Sequence, residues 1–482
     1  MRKIFIHFFL FFYGVVTLQA QENAGILHSN YSPTSTVFIN PSTLADSKAF
    51  LDIHIIGASL FANTSMVYLP GNKFKLTRSF SSNNSEGFPN PLFNPNGKLK
   101  HGYVDLALQG PSAAIVLGRN SFGVFTNVRL AFDMRNIPDH LANYIINGFG
   151  YVPQHGFEYS GKNIKLNSMA WGELGFTYAR MLKVSNNHIF NGGITVKRLF
   201  GISIASFLLD ELKYNVIDTS DIKFINVSGS YGYALPEFGA GKGWGFDVGF
   251  TYKKMLENVD GYVPHSPNNG CQEADYQYKL GISIIDFGQI KFASNTQQRS
   301  LQDASAYWQN YSKPTANGAI GIDSTLNSEF GGVNAGVVSK NSLVSKLPAA
   351  VSIQFDYKLH KNFYAGIFYI KGLPHQNFGV QRSDILAVTP RFEVKRLEIS
   401  MPVTMYQYQD YYAGLAFRFN NIIIGTDRIG PYIFRPDING IDFYLAIKYT
   451  IFKRMACAEK KQRNPKTRNG YKQKMIPCSV LK

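Results

Sequence analysis

Eight charged residues stand on the polar side of otherwise apolar, alternating segments: Glu173, Asp247, Lys253, Asp356, Lys358, Arg418, Asp442 and Lys448. Charges held behind apolar walls can do one of two things. Facing an aqueous pore, they select solutes by sign. Packed into a closed interior they neutralise one another, because a buried charge needs a partner and small barrels fill their interiors with side chains. Four acids and four bases permit either outcome. Covalent chemistry has much less to work with. GxSxG, HExxH and P-loop patterns are absent, and the glycines of GAGKGWGFD (239–247) open a strand rather than the helix that a phosphate loop requires. His54, His101, His188, His360 and His375 are scattered, with no Ser and carboxylate at a recognisable spacing. Cys271, Cys457 and Cys478 are too few for a disulfide framework and form no CxxC. The expectation is no catalytic residue, no metal site and no cofactor.

The elements that position those charges are strands. In GWGFDVGFTYK (243–253), Trp244, Phe246, Val248, Phe250 and Tyr252 alternate with Gly245, Asp247, Gly249, Thr251 and Lys253. The same period recurs in SFGVFTNVRLAFD (121–133), WGELGFTYAR (171–180), AVSIQFDYKLH (350–360), YYAGLAFRFN (411–420) and IDFYLAIKYTIF (441–452). A period of two puts successive side chains on opposite faces of a strand. A soluble sandwich alternates as well, but segments of about 10 residues match a tilted membrane strand. The polar faces are rich in Gly, Ala and Thr, and aromatic residues gather near strand ends, at Tyr411-Tyr412 and Trp171, where a girdle meets lipid headgroups. An open sheet would leave unpaired edges in lipid, so the sheet must close. The expected fold is all-β, an antiparallel transmembrane β-barrel of about 14 strands (roughly 12–16) with short helical loop insertions. Asp247 and Lys253 then face the interior, while Trp244 to Tyr252 face lipid. Asn136 to Tyr151, with Pro138 near its start and Gly148 near its end, reads as a helix, as does SLQDASAYWQNYS (300–312) inside the long connection 293–346.

The N-terminus has the marks of an exported chain. Met1-Arg2-Lys3 precedes the apolar run Ile4 to Leu18, and Ala20 follows. That run is short of the about 20 residues that a membrane helix needs, so it reads as a signal peptide. The divisions are 1–20 signal peptide, 21–48 an N-terminal segment suited to a hatch or plug, 49–452 the barrel, and 453–482 a basic periplasmic tail. The net charge of +17 concentrates in that tail, which holds ten Lys or Arg against one acid, Glu459. An exported chain seldom meets nucleic acid, so none is expected as a partner. The expected surroundings are the lipid and lipopolysaccharide of a Gram-negative outer membrane, with a periplasmic protein or peptidoglycan at the tail. Cys457 and Cys478 flank the tail and could close a loop in an oxidising compartment, leaving Cys271 unpaired.

Several phrases taken together carry a resemblance: LQGPSAAIVLG (108–118), WGELGFTYARML (171–182), GITVKRLFGISIA (193–205), GWGFDVGFTYK (243–253), YKLGISIIDFGQIKF (278–292), LPAAVSIQFDYKL (347–359) and IIIGTDRI (422–429). Over residues 28–452, and in this order, they resemble a family of uncharacterised outer-membrane β-barrel proteins from Bacteroidetes that carries a domain of unknown function. SPTSTVFINPSTLADS (32–47) is similar to the "NPA" segment opening fatty-acid-transporter-like barrels and a related type IX secretion accessory barrel, with Ser42 in place of Ala. That likeness implies Asn40 and Pro41 as hatch residues; the alternative is an ordinary Asn-Pro turn leading into the first strand. The functional expectation is a transporter or channel for small or hydrophobic solutes. The alternative is a non-transport scaffold for secretion or envelope organisation, working through its loops and tail. An apolar interior with a lateral opening favours the first, and a filled barrel favours the second.

Overall fold

The computed structural model of the chain describes residues 23–71, 90–266, 274–310, 318–330, 338–375, 378–408, 410–430, 437–452, 456–457 and 476–477. The expected signal peptide, most of the basic tail, Cys271 and Cys478 lie outside the described residues.

Alternating faces drive each segment into an extended ladder. The ladders join into 14 antiparallel strands, several of them interrupted by a bulge or a bend. In chain order they are β1 (Leu51–Thr64), β2 (Lys100–Gln109 with Ser112–Leu117), β3 (Asn120–Ile137), β4 (Glu158–Ser185) and β5 (His188–Val216). Next come β6 (Ile222–Ala234 with Gly241–Met255), β7 (Tyr276–Phe292 with Thr296–Trp308) and β8 (Val338–Lys340, Leu343–Lys346 and Ala350–His360). The circuit continues through β9 (Phe363–Gly372), β10 (Ile385–Val394), β11 (Leu397–Ser400 with Val403–Tyr406), β12 (Asp410–Ala413 with Leu415–Phe419), β13 (Ile422–Thr426) and β14 (Gly440–Ile451). β14 pairs with β13 on one side and with β1 on the other, from Leu51↔Ile451 to Asn63↔Gly440. The sheet is therefore a closed barrel with no open edge, as a sheet in hydrocarbon requires.

One end of the barrel carries tight turns, such as Ser185 to His188, His360 to Phe363 and Val394 to Leu397, and also the start of β1 and the end of β14. Apart from the connection between Met255 and Tyr276, which lies at the turn end, the longer connections gather at the opposite end. Around the outside runs an apolar belt that includes Ile55, Phe176, Trp244, Phe250, Ile282, Ile353, Ile367 and Ile447. β4 and β5, of 28 and 29 residues, far exceed the 9–11 residues that cross a bilayer. At the loop end of β4 and β5 the exposed positions are polar, among them Glu158, Ser160, Lys162 and Asp210.

Helix insertions cap this extension. Two short turns, α1 (Pro33–Thr36) and a 3-10 turn at Pro41–Leu44, precede the barrel; α2 (Asp139–Asn147) and α3 (Gly318–Phe330) sit in its loops. α2 begins after Pro138 and ends at Gly148, whose φ of +81° favours glycine. Its Tyr144 packs with Tyr159, Tyr214 and Phe149 in an apolar cluster that also takes in Ile137, Val216, Leu301 and Phe330.

Two sequence expectations fail locally. SLQDASAYWQNYS is strand through Trp308, not helix, because Thr296–Trp308 pairs with the loop-end half of β6. Ladder hydrogen bonds to a strand already in place outweigh the helical propensity of Leu301, Gln302 and Ala304. Trp171 is no girdle residue: it shares the phase of Glu173, Gly175 and Thr177, so the unbroken alternation of β4 points it inward, where it is fully buried.

Candidate functional site in the barrel interior

Residues 23–50 run inside the barrel, and the 3-10 turn built on Asn40-Pro41-Ser42 is their anchor point. Asn40 is the N-cap and Pro41 the first residue of the turn, where a missing amide donor costs nothing. The Asn40 Oδ1 accepts from the Ser42 amide (3.0 Å) and hydroxyl (2.7 Å), while its Nδ2 donates to Gln354 Oε1 (2.8 Å) and the Phe250 carbonyl (3.2 Å). Ser283 donates to the Ile39 carbonyl, and the Ser42 and Thr251 hydroxyls share a hydrogen bond of 2.5 Å. The wall gives up side chains to admit this turn. A Cβ on Gly193 would lie 2.5 Å from the Pro41 carbonyl carbon, one on Gly249 2.1 Å from Asn40 Oδ1, and one on Gly281 3.0 Å from Asn40 Nδ2.

The rest of the segment is fastened mainly by polar contacts. The Ala24 amide donates to Asp427 (2.8 Å), Ser29 Oγ to Glu398 (2.7 Å), the Asn30 amide to Glu393 (2.7 Å) and Thr34 Oγ1 to Asp52 (2.6 Å). Lys253 pairs with Asp46 (2.6 Å) and Lys48 with Asp275 (3.4 Å). Lys448 donates to the Tyr31 carbonyl (3.3 Å) and to Asp52 (3.0 Å).

Towards the loop end, the wall spans its own interior with charge. Asp286 accepts Arg129 (2.7 Å) and Lys197 (2.6 Å) and lies 3.3 Å from Arg382, which belongs to the inward-folded β9–β10 connection. Lys197 also meets Asp247 (2.8 Å), and Arg129 reaches Glu173 (3.5 Å) and Asp105 (3.6 Å). Between this layer and the N-terminal segment remains a cavity of about 10 Å³ beside Val37, Phe38 and Phe125, room for roughly one water. Beyond it lies an apolar layer of Trp171, Leu199, Ile290 and Phe292, joined by Phe378 and Val380 of the same inward-folded connection.

The eight charges singled out by pattern do not form one constellation. Glu173 and Asp247 belong to the layer around Asp286. Asp356 is bonded by Arg391 (2.7 Å) and approached by Lys279 (3.5 Å), while Arg418 pairs with Glu398 (2.9 Å). Lys358 binds Asp275 (2.5 Å) beside Lys48, and Lys253 and Lys448 hold the N-terminal segment as described. Asp442 accepts from the Asp427 amide (2.5 Å). The candidate charges leave out Asp286, Arg391, Lys197 and Arg129, although the alternation of SFGVFTNVRLAFD already puts Arg129 on the polar face. Asp286 sits at φ +53° in a bulge where β7 sets both Ile285 and Asp286 against Asp247. Its trace in the sequence is a slip of phase, since the outward residues run Ile282, Ile284 and then Phe287.

A family profile described as a family of unknown function, DUF5723, matches residues 41–427. The chain belongs to that family. The matched region runs from Pro41 in the interior turn to Asp427, which holds Ala24, and so covers β1 to β13. No curated protein matches the sequence. Among solved structures, the toluene transporter TbuX of Ralstonia pickettii is similar at 9% identity, covering 86% of this chain and 93% of that one, with a TM-score of 0.40. A FadL homologue from Pseudomonas aeruginosa follows at 12% identity, 90% and 99% coverage and a TM-score of 0.41. The translocator domain of the autotransporter NalP from Neisseria meningitidis gives 8% identity, 84% and 89% coverage and a TM-score of 0.30. Likeness at this level concerns the barrel fold alone.

His28 gives the N-terminal segment of this family member a pH-sensitive contact. It is buried against Phe368 (ring centroids 6.0 Å apart) and Gly366. Burial pushes its pKa down to about 3, against the pull of the Asp356 carboxylate. A released His28 titrates near the ordinary 6.5, so docking weakens as pH falls below that value and protons favour the released form. From about pH 7 to about pH 5 the expected weakening is about 25-fold. Hydrogen exchange of residues 23–48, corrected for intrinsic rates, reads this out, and His28→Gln should flatten the dependence. Unchanged protection in the native sequence would refute it.

Proposed function

We propose that the protein is an outer-membrane transporter for small or hydrophobic solutes, held closed at rest by its own N-terminal segment. The observation that carries this reading is the way residues 23–50 fill the interior at the turn end. They are seated in a glycine cradle and fastened through hydrogen bonds and ion pairs that water can replace on release. A permanent filler would come from wall side chains, whereas here the wall is hollowed at Gly193, Gly249 and Gly281 to admit a separate segment. A barrel of this strand number is also wider than the eight-stranded barrels that side chains alone can fill. Short turns face the periplasm in such barrels, so we place the turn end there, and with it the basic segment 453–482, in reach of peptidoglycan or a periplasmic protein.

The test is conductance across planar bilayers for the full chain and for a chain lacking residues 23–48. Silence from the first and steady conductance from the second supports a removable plug. Silence from both supports the scaffold reading, which the charge layer around Asp286 favours because it bridges the wall without help from the plug.

A further inference from the structure

On the outer wall at the turn end, a groove of about 470 Å³ opens between the ends of β4, β5 and β6, lined by Lys183, Ser185, His188, Phe190 and Tyr252. Its polar part is organised. Lys254 Nζ lies 3.4 Å from His188 Nε2, and His188 Nδ1 lies 2.8 Å from the Tyr252 hydroxyl, with the two rings stacked at 5.8 Å. Its other side is apolar and faces the belt, where Leu182, Phe190 and Phe250 are about half exposed at 57%, 42% and 54%. The turn end around it is also basic, with Arg119, Lys361, Lys395 and Arg396 exposed. Among the described residues the acids near the groove are few: Asp260 is engaged by the Asn186 amide (2.7 Å), and Glu257 also has a partner.

Two ammonium groups, an imidazole and a hydroxyl at the margin of an apolar belt match one chemistry: a phosphate carrying acyl chains. We propose that this groove seats the headgroup of an anionic phospholipid. Lys183 and Lys254 meet the phosphate, Ser185 supplies a hydrogen bond, His188, held by Tyr252, positions the Lys254 ammonium, and the chains lie along Leu182, Phe190 and Phe250. A free phosphate would use only the polar half and leave the apolar strip unexplained. The proposal is independent of transport, since the groove is on the outside of the wall.

The test is native mass spectrometry of the full chain released from nanodiscs of mixed phosphatidylglycerol and phosphatidylcholine. The expected result is retained phosphatidylglycerol in preference to phosphatidylcholine. Lys183→Gln with Lys254→Gln should cut that preference about 30-fold, at roughly 1 kcal/mol per lysine. Lys361→Gln with Lys395→Gln, at other turns of the same end, should leave it unchanged. Both pairs are at the surface, and heat-dependent gel migration confirms that the barrels are folded. Equal retention of the two lipids, an undiminished preference in the first double variant, or displacement of the lipid by excess inorganic phosphate would each overturn the proposal.

Discussion

Gly193→Val is expected to drive the N-terminal segment out of a barrel that stays folded. The new Cβ would meet the Pro41 carbonyl carbon and the Ser42 amide nitrogen, both at 2.5 Å. Those are backbone atoms and cannot rotate aside. The wall at Gly193 is held in register by β4 at Ala179 and by β6 at Gly249, so it does not yield either. The segment must. The readout is maleimide labelling of Val37→Cys, a position only 2% exposed, in a chain whose three native cysteines are replaced by Ser. Overpacking of this kind costs about 1–3 kcal/mol, so labelling should quicken about 5- to 150-fold. Gly175→Ala is the control, because its Cβ would find Thr195 Cγ2 at 3.6 Å, an ordinary contact. Equal labelling in the two variants would show that the cradle does not need to be bare.

The second large effect is on the stability of the wall. Asp286→Asn keeps the size of the side chain and its tolerance of φ +53°, but removes the charge on which Arg129, Lys197 and Arg382 converge. Two of these cations are then left in a buried interior with fewer partners: Arg129 with Glu173 and Asp105 at 3.5 and 3.6 Å, and Lys197 with Asp247 at 2.8 Å. Breaking a buried pair by removing one member costs about 3–5 kcal/mol, which urea unfolding in detergent should register. Glu158→Gln breaks an exposed pair with Lys213, 58% and 44% exposed, and should cost no more than about 1 kcal/mol. A loss from Asp286→Asn no larger than that would mean the layer is not acting as one unit.

Much of this architecture was legible because side-chain alternation reports which way a residue points. Trp244 to Tyr252 outward and Asp247 and Lys253 inward follow from period two, while the count of about 14 strands also needs the even number that such barrels favour. What alternation cannot report is the partner across the interior. Lys448 and Asp52 are 396 positions apart, and Asn40 and Gln354 are 314 apart. Nor does it survive a bulge, which is why Asp286 is out of phase with the strand that carries it. Trp171 is a different case: alternation with Glu173 points it inward, and only its place near a strand end suggests a girdle. The loop-end half of β7 is hidden for a related reason. Above the belt both faces can be polar, and SLQDASAYWQNYS then has no lipid side to mark it as strand.

The position of the N-terminal segment also has a consequence for the order of assembly. Ala24 is held by Asp427, Tyr31 by Lys448, and Asn30 by Glu393, and these partners lie in the last third of the chain. A segment that precedes every strand therefore has no complete berth until the final strand has zipped onto the first. Contacts made that late are absent from the transition state for barrel closure, so altering them changes how fast the finished protein comes apart far more than how fast it forms. The segment behaves as a keystone set after the arch has closed, and kinetic durability in the membrane is where its loss should be felt.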